Sequence, residues 1–446
     1  MTHYVIIGAS IAGQSAAEAI RERDPAAAIT LVSEESHGFY SRPGLAYLLR
    51  GDIPEKQLIA RTADDWRKLN AHLLVARADQ VQTDRHQVSL ANGKILRYDR
   101  LLLATGSTAV PADFPGHDLA GVVKLDDLDD ARRILKLAGR KKTAVVIGGG
   151  ITALELVEGL RSRGAKVHYL LRGERYWANV LDEIESQLVA DRLRDEGVVL
   201  HTHTQVKQAV GKRGQLAGVE TEGGEKIGCH ILAVAIGVRP RLELARSAGF
   251  QIERGIVVDE YLRTSAPDMY AAGDVAQVTD PRSGRSTLDV LWSTALAQGR
   301  AAGQNMAGAQ VPYVKAVPMN VTQLAGMVTT IIGAVGSGRD ADLVTISRGD
   351  SEAWRLLPQA WVVSDQHEVN RVRLLLDERR IVGAVVMGDQ VWARPLHQLI
   401  AAQADITPIR AALLSEPAAA LAHLKRFYQD WASARPEQTQ RAQTDV

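Results

Sequence analysis

The chain has 446 residues, of which 46% are apolar and 24% charged, room for about three ordinary domains at roughly 150 residues each. Its 53 Lys and Arg nearly balance its 52 Asp and Glu, so net charge argues against a nucleic-acid partner. The single cysteine, Cys229, excludes an internal disulfide, a CxxC redox pair and a cysteine-rich zinc site.

No apolar run reaches the roughly 18–20 residues of a membrane span. Met1-Thr2-His3-Tyr4 leads directly into Val5-Ile6-Ile7-Gly8 without a charged n-region or cleavage site, so a cytoplasmic protein is expected. The β-branched run Val5–Ile7 predicts a buried strand. The turn Gly8-Ala9-Ser10-Ile11-Ala12-Gly13 follows, then a helix over Gln14–Arg23 and a strand over Ala28–Val32. Glu34 and Glu35 close this βαβ unit, where one carboxylate accepts from ribose hydroxyls; spacing does not separate the two. A further strand over Tyr98–Ala104 ends in Ala104-Thr105-Gly106.

The pattern recurs 140 residues later as Val145-Val146-Ile147 and Gly148-Gly149-Gly150-Ile151-Thr152-Ala153. A helix over Leu154–Arg163 and a strand over Lys166–Leu171 complete the second unit, and the strand His230–Ile236 runs into Ala235-Ile236-Gly237. A strand that enters a helix through glycines aims backbone N–H groups and the helix dipole at one spot, which suits a pyrophosphate. Candidate ligands are Gly8, Ser10, Ile11, Ala12 and Gly13 in the first turn. In the second they are Gly148, Gly150, Ile151, Thr152 and Ala153. Two such sites imply two dinucleotides, most simply a flavin and a nicotinamide.

The second unit carries Leu171, then Arg172 and Arg175, where an NADH site typically offers an acid. Guanidiniums there pair with a 2′-phosphate, so NADPH is favoured over NADH. Arg132, Arg133, Lys136, Arg140, Lys141 and Lys142 form a basic run, readable as a solvated face or as a docking surface for an acidic carrier. His201-Thr202-His203 is the one close histidine pair. With no acidic or cysteine partner adjacent, no metal site is expected. Short strands are predicted over Ile256–Val258 and Met269–Ala272, and a helix over Leu288–Asn305. Beyond Pro318, strands over Val328–Ile332, Ala360–Val363, Arg371–Leu376 and Val382–Met387 precede helices over Leu396–Ala402 and Ile406–Leu424. A polar tail spans Ser433–Val446.

The segment from Thr264 to Asp274, Thr-Ser-Ala-Pro-Asp-Met-Tyr-Ala-Ala-Gly-Asp, nearly matches T-S-x-x-x-[IV]-[FY]-A-x-G-D. With the two glycine turns and the two Ala-x-Gly crossings, it makes the chain resemble the FAD-dependent pyridine nucleotide oxidoreductases with two dinucleotide-binding domains. The stretch Phe39-Tyr40-Ser41-Arg42-Pro43 resembles the Y-x-R-P of the ferredoxin-reductase-like, rubredoxin-reductase-like and nitrite-reductase-large-subunit-like members. The resemblance implies an α/β fold, with a FAD domain over 1–112 and 240–318 interrupted by an NAD(P) domain over 113–239. An α+β domain over 319–402 would cover the flavin's far side or a dimer interface, and 403–446 would form a helical tail.

By the same resemblance, Gly273 and Asp274 bind the ribityl and pyrophosphate part of FAD, Arg42 its phosphate, and Pro43 lies near the ring. Glu155 stands where relatives place a flavin-proximal glutamate. Tyr47 replaces the lysine that many of them pair with it, so that ion pair cannot form as such. Glu155, Tyr47 and Pro43 are the candidate flavin neighbours, and Trp292 and Gln298 are candidates for the opposite side. The implied activity is hydride transfer from NAD(P)H to flavin, with electrons passing directly to a ferredoxin- or rubredoxin-like protein or a small acceptor. Alternatives are the flavin subunit of a nitrite-reductase-like system, an NAD(P)H oxidase, or an NAD(P)H-responsive flavoprotein that controls assembly. A homodimer is left open.

Overall fold

In the computed structural model, the structure describes residues 1–281, 283–336, 346, 348–355, 361–367, 370–416 and 419–435. In chain order the helices are α1 (Ile11–Arg23), α2 (Gly44–Arg50), α3 (Ala63–Lys68), α4 (Leu128–Leu137), α5 (Ile151–Ser162), α6 (Glu183–Asp195), α7 (Glu243–Ser247), α8 (Trp292–Met306), α9 (Ala393–Ala401), α10 (Thr407–Ser415) and α11 (Ala420–Ser433). Two compact units emerge. The first comprises Met1–Glu174, Leu193–Lys315 and Val344–Ser351, and the second Arg175–Arg192, Ala316–Leu343 and Glu352–Val446.

The first unit contains two parallel five-stranded sheets of the same design. One runs Met269–Ala271, Arg100–Leu103, His3–Ile7, Ala28–Ser33, Ala71–Val75. The other runs Val122–Val123, Ile231–Val234, Thr143–Ile147, Lys166–Leu170, Val199–His201. In each, the strand before the glycine turn sits centrally, between the second strand of its βαβ unit and the strand that ends in Ala-x-Gly. Val5, Ile6, Val145 and Val146 are fully buried, as expected of continuous apolar strands covered on both faces. Small antiparallel sheets, such as Ala78–Gln82 with Gln87–Leu90 and Ile95–Arg97, decorate the unit. Their short alternating stretches carry little periodic signal, and sequence reading passed over them.

The helix expected over Leu288–Asn305 begins only at Trp292. Residues before it are extended, because Val290 N–H donates to Asp350 O at 2.9 Å and Gly349 N–H to Val290 O at 2.8 Å. A pairing partner from far along the chain overrides the local helical pattern.

The second unit is built on an antiparallel sheet ordered Met319–Leu324, Met327–Gly333, Ile381–Met387, Asn370–Leu376, Trp361–His367. Ile332, Leu374, Val386, Leu396, Leu413 and Leu424 join sheet and helices in one core. The single helix expected over Ile406–Leu424 is two helices, α10 and α11, because the backbone leaves the helical range at Glu416, with φ −127° and ψ 64°. Ala360 and residues 436–446 of the expected tail lie outside the described residues.

Residues 175–192 join the second unit through charge. Arg371 pairs with Asp182 at 2.5 Å and Arg373 with Glu185 at 2.8 Å. Arg373 also donates to the carbonyls of Val180 and Val335, at 2.7 and 2.9 Å. Both arginines and Glu185 are buried. Removing one member strands the rest, which typically costs about 3–5 kcal/mol. Glu185→Ala should therefore lower the melting temperature of the protein markedly, whereas Glu183→Ala, on the same helix, should change it little. A differential scanning calorimetry comparison of the two variants checks this.

Candidate functional site

The first glycine turn is shaped by close backbone approach. Gly8 has φ 112°, and a Cβ there would overlap the carbonyl oxygen of Ala104. The strand end at Ala104-Thr105-Gly106 thus lies directly against the turn. Ser10 caps α1 in an extended conformation with no side-chain capping bond. The first intrahelical bond runs from Gln14 N–H to Ser10 O at 2.9 Å, so the amides of Ile11, Ala12 and Gly13 are left for an outside acceptor.

Helix α8 packs on α1 backbone to backbone, for a Cβ at Gly299 or Gly303 would overlap the carbonyls of Ala12 or Ala16. This brings Gly273 beside the Ala12 side chain. The buried Gln298 accepts from Gly273 N–H at 2.8 Å. Gln298 is therefore a brace for the Gly273-Asp274 turn. Asp274 accepts from Ser107 Oγ at 2.6 Å, and burial raises the pKa of its carboxyl. Trp292, at the start of α8, stacks on Phe39 with ring centres 5.9 Å apart.

The second turn repeats the first. Gly148 has φ 141°, and a Cβ there would overlap the Ala235 carbonyl. Gly150 caps α5, and the space around the Cβ position of Gly149 is open. Ile151 and Ala153 are buried beneath the turn, Ile236 and Gly237 at the crossing are more open, and the Thr152 hydroxyl is buried without a hydrogen-bond partner.

Helix α2 lies on α5, with Arg163 donating to the carbonyls of Leu48 and Leu49, both at 2.8 Å. Pro43 precedes α2 as its cap. Tyr47 is 42% exposed, with the Arg50 guanidinium 4.7 Å from its ring centre. Arg50 also pairs with the buried Glu158 at 3.2 Å. Glu155 sits one turn before Glu158 on α5. Burial and the Glu158 charge push its carboxyl up to about 7, against the pull of Arg348 and Arg50.

Sequence reading missed the hub of the site, Asp126. Its carboxylate is 2% exposed and pairs with Arg348 at 2.5 Å, and with Lys124 and Arg241 at 3.5 Å. It also accepts from Thr108 Oγ1 at 2.7 Å. Although burial opposes ionisation, Arg348, Thr108, Lys124 and Arg241 hold its carboxyl down to about 2. Arg42 donates to the Asp126 carbonyl at 2.6 Å and pairs with Glu35. Glu35 also accepts from Tyr40 Oη at 2.6 Å, whereas Glu34 is exposed. Asp126 lies in a run of four acids whose pattern reads as a helix start, and its partners are spread over more than 200 residues.

Arg172 is exposed directly after the Lys166–Leu170 strand, while Arg175 begins the second unit. In the basic run, Arg132 is paired with Glu55 at 2.6 Å and Asp129 at 3.0 Å; Arg133, Lys136, Lys141 and Lys142 are exposed. His201 and His203 do not share a strand face, because the strand ends at His201 and His203 has φ 50°. His201 instead faces His168 at 3.0 Å. Among the described residues no group of three or more His, Cys, Asp or Glu is placed to hold a metal ion. Burial pushes the Cys229 thiol up to about 12, which keeps it from acting as a thiolate nucleophile.

A family profile described as pyridine nucleotide-disulphide oxidoreductase matches residues 2–299, and the chain belongs to that family. It is 32% identical to the biphenyl dioxygenase system ferredoxin–NAD(+) reductase component of Paraburkholderia xenovorans, over 78% of this chain and 84% of that one. It is 28% identical to the NADH-dependent phenylglyoxylate dehydrogenase subunit epsilon of Aromatoleum evansii, over 94% of this chain and 96% of that protein. Among solved structures, a chain of the covalent putidaredoxin reductase–putidaredoxin complex superposes with a TM-score of 0.83 at 25% identity, covering 95% of this chain and 99% of that chain. The fold is the α/β fold of this family, with its parallel sheets. Among the described residues no helix is long and apolar enough to cross a membrane.

The residues fit the two nucleotides of the family, FAD and a nicotinamide dinucleotide. Each turn offers a helix N-terminus with unclaimed amides, and Gly106 and Gly149 leave open space beside them. Gln298→Leu should strand the Gly273 amide. An unsatisfied buried donor costs about 1–3 kcal/mol, so the variant should melt lower and release FAD more readily, as read by flavin fluorescence on heating.

Proposed function

We propose that this chain is a FAD-dependent NAD(P)H oxidoreductase whose flavin sits on the sheet containing His3–Ile7 and whose nicotinamide nucleotide sits on the sheet containing Thr143–Ile147. The observation that carries this reading is the doubling of one site within one unit: Gly8 against Ala104 and Gly148 against Ala235, each under a helix N-terminus. When bound, the two cofactors supply hydride exchange between nicotinamide C4 and flavin N5.

The chain's residues then have binding and orienting roles. Gly8, Ser10, Ile11, Ala12 and Gly13 present amides to the FAD pyrophosphate. Asp274 and Gly273 hold the ribityl and pyrophosphate part, Ala104, Thr105 and Gly106 line the crossing, and Arg42 stands over the phosphate side. Glu34 or Glu35 receives the adenosine ribose. On the nicotinamide side, Gly148, Gly150, Ile151, Thr152 and Ala153 form the cradle, with Ala235, Ile236 and Gly237 facing it. Glu155, Pro43, Tyr47 and Trp292 frame the flavin. With Cys229 alone and buried, no thiol relay follows. Electrons pass directly to an acceptor, for which we favour a small ferredoxin- or rubredoxin-like protein, as the names of relatives suggest.

The protein should bind FAD and be bleached by NAD(P)H in anaerobic stopped-flow. Afterwards a small iron–sulfur carrier should reoxidise it faster than oxygen does. Faster reoxidation by oxygen would favour an oxidase, and a long-lived reduced state with every acceptor would favour a regulatory flavoprotein.

Two residue-level outcomes refine this reading. Glu155 changes from neutral to carboxylate as pH rises through about 7. A carboxylate beside the flavin opposes the arriving negative charge, so bleaching should slow above that pH, and Glu155→Gln should flatten the profile. Leu171 and the exposed Arg172 favour a 2′-phosphate, so we infer a preference for NADPH, although two of the relatives above are named for NADH or NAD(+). Arg172→Gln should raise the Kd for NADP+ at least about tenfold, the loss of one charge-assisted contact, and that for NAD+ little. Equal changes would remove the preference.

A further inference from the structure

Ile346 and Arg348–Ser351 lie far in sequence from both βαβ units, yet belong to the unit that contains them. The backbone is pinned along its length. Val238 N–H donates to Ile346 O at 2.8 Å, Gly349 N–H donates to Val290 O, and Val290 N–H returns to Asp350 O. Ser351 Oγ donates to Asp289, which forms a buried ion pair with Lys315 at 2.7 Å. A backbone held on both sides fixes where the one long side chain between them can reach.

That side chain is Arg348. Its guanidinium bonds Asp126 through Nη2 at 2.5 Å and reaches the Asp126 carbonyl through Nη1 at 3.3 Å. The third donor, Nε–H, is buried with no hydrogen-bond partner. Arg348 lines a small cavity with Gly150, Thr152, Ala235 and Gly237, which are the cap and first turn of α5 and the second Ala-x-Gly crossing. The Thr152 hydroxyl in the same lining is also buried without a partner. Two residues with an unsatisfied polar atom, one of them cationic, therefore line one cavity beside the N-terminus of α5. A buried donor without an acceptor is costly, and an anion at this place satisfies the arginine, the threonine and the amides together.

We propose that Arg348 is a binding residue of the nicotinamide-nucleotide site, a cation supplied from outside the βαβ unit that engages the pyrophosphate at the first turn of α5. This rests on the assignment of that turn to the nicotinamide nucleotide. Asp126 is then a positioning residue that fixes two guanidinium nitrogens and leaves the third for the ligand. Burial raises the pKa of Glu155 and of Asp274, and Arg348 is among the cations that counter it at both. Its field thus extends toward both proposed cofactor sites.

The test is calorimetric titration of flavin-loaded protein with NADP+, NAD+ and ADP-ribose. Arg348→Gln should weaken all three by about tenfold or more, the loss of one charge-assisted contact to a phosphate, because all three carry the pyrophosphate. Adenosine, which lacks it, should bind wild type and variant alike. Arg348→Lys, which keeps charge without the fork, should recover part of the loss. Unchanged affinities in a flavin-loaded Arg348→Gln would overturn the proposal. Should that variant not retain FAD, arginine labelling of the wild-type holoenzyme with phenylglyoxal decides. Protection of Arg348 by ADP-ribose supports the contact, and equal labelling with and without it overturns it. If wild-type protein binds none of the nucleotides, the assignment of the site fails, which is a different result from a variant that binds as wild type does.

Discussion

At each of the two glycine turns a glycine α-carbon rests on the carbonyl oxygen of an alanine at the end of a neighbouring strand, Gly8 on Ala104 and Gly148 on Ala235. No other residue fits, because a Cβ would occupy the oxygen's position and because both glycines hold a positive φ. The contact fixes three things at once: where the turn leaves the sheet, where the next helix begins, and where the adjacent parallel strand ends. Each proposed nucleotide site is the space these three ends leave. The rest of the first unit holds this space open. Gly299 and Gly303 let α8 lie against α1, and Gln298 carries that packing to the Gly273 amide.

Asp126 is a different kind of constraint, made of charge. A carboxylate at 2% exposure with Lys124, Arg241 and Arg348 around it has paid a desolvation penalty that only several partners offset. Removing one partner leaves the others to compensate, so the cluster tolerates a guanidinium that also serves a ligand. The carbonyl of the same residue holds Arg42. One residue thereby positions arginines whose proposed roles lie on different nucleotides. Lysine is absent from the position four residues after Pro43, where Tyr47 packs under Arg50. Positive charge near Glu155 comes instead from Arg50 and Arg348, from a neighbouring helix and from a distant segment.

The two βαβ units were legible because their signals are local. A β-branched run, a glycine turn and a helix follow one another within about twenty-five residues, and the exact repetition of that order leaves few other folds. The Ala-x-Gly crossings were legible for the same reason. What was not legible depends on contacts between distant segments. Leu288–Leu291 reads as helix until Gly349 and Asp350 supply strand-like partners. Asp126 and Arg348 belong to no local motif, and only the fold brings them together. The interruption after Ser415 turns on the backbone of Glu416, and the apolar periodicity on either side carries no sign of it. The bond from the Gly273 amide to Gln298 was not legible either, because it depends on the close approach of α8 to α1.

The cysteine has a narrower meaning in this fold than in isolation. A family named for disulphide chemistry keeps its scaffold here with one thiol, buried among Val145, Leu216 and Ile227 and held far from ionisation at neutral pH. A disulfide beside a flavin would take up two electrons by opening to a pair of thiols. Without one, the protein's own contribution to electron flow is confined to geometry and field. At Glu155, the proposed flavin neighbour, burial and the Glu158 charge raise the carboxyl to about 7, and the cations Arg348 and Arg50 pull against them. Because Glu155 is poised near 7, a modest change in either cation would alter its charge at physiological pH. The Asp126 cluster that places Arg348 therefore bears on the protonation of Glu155 without touching it.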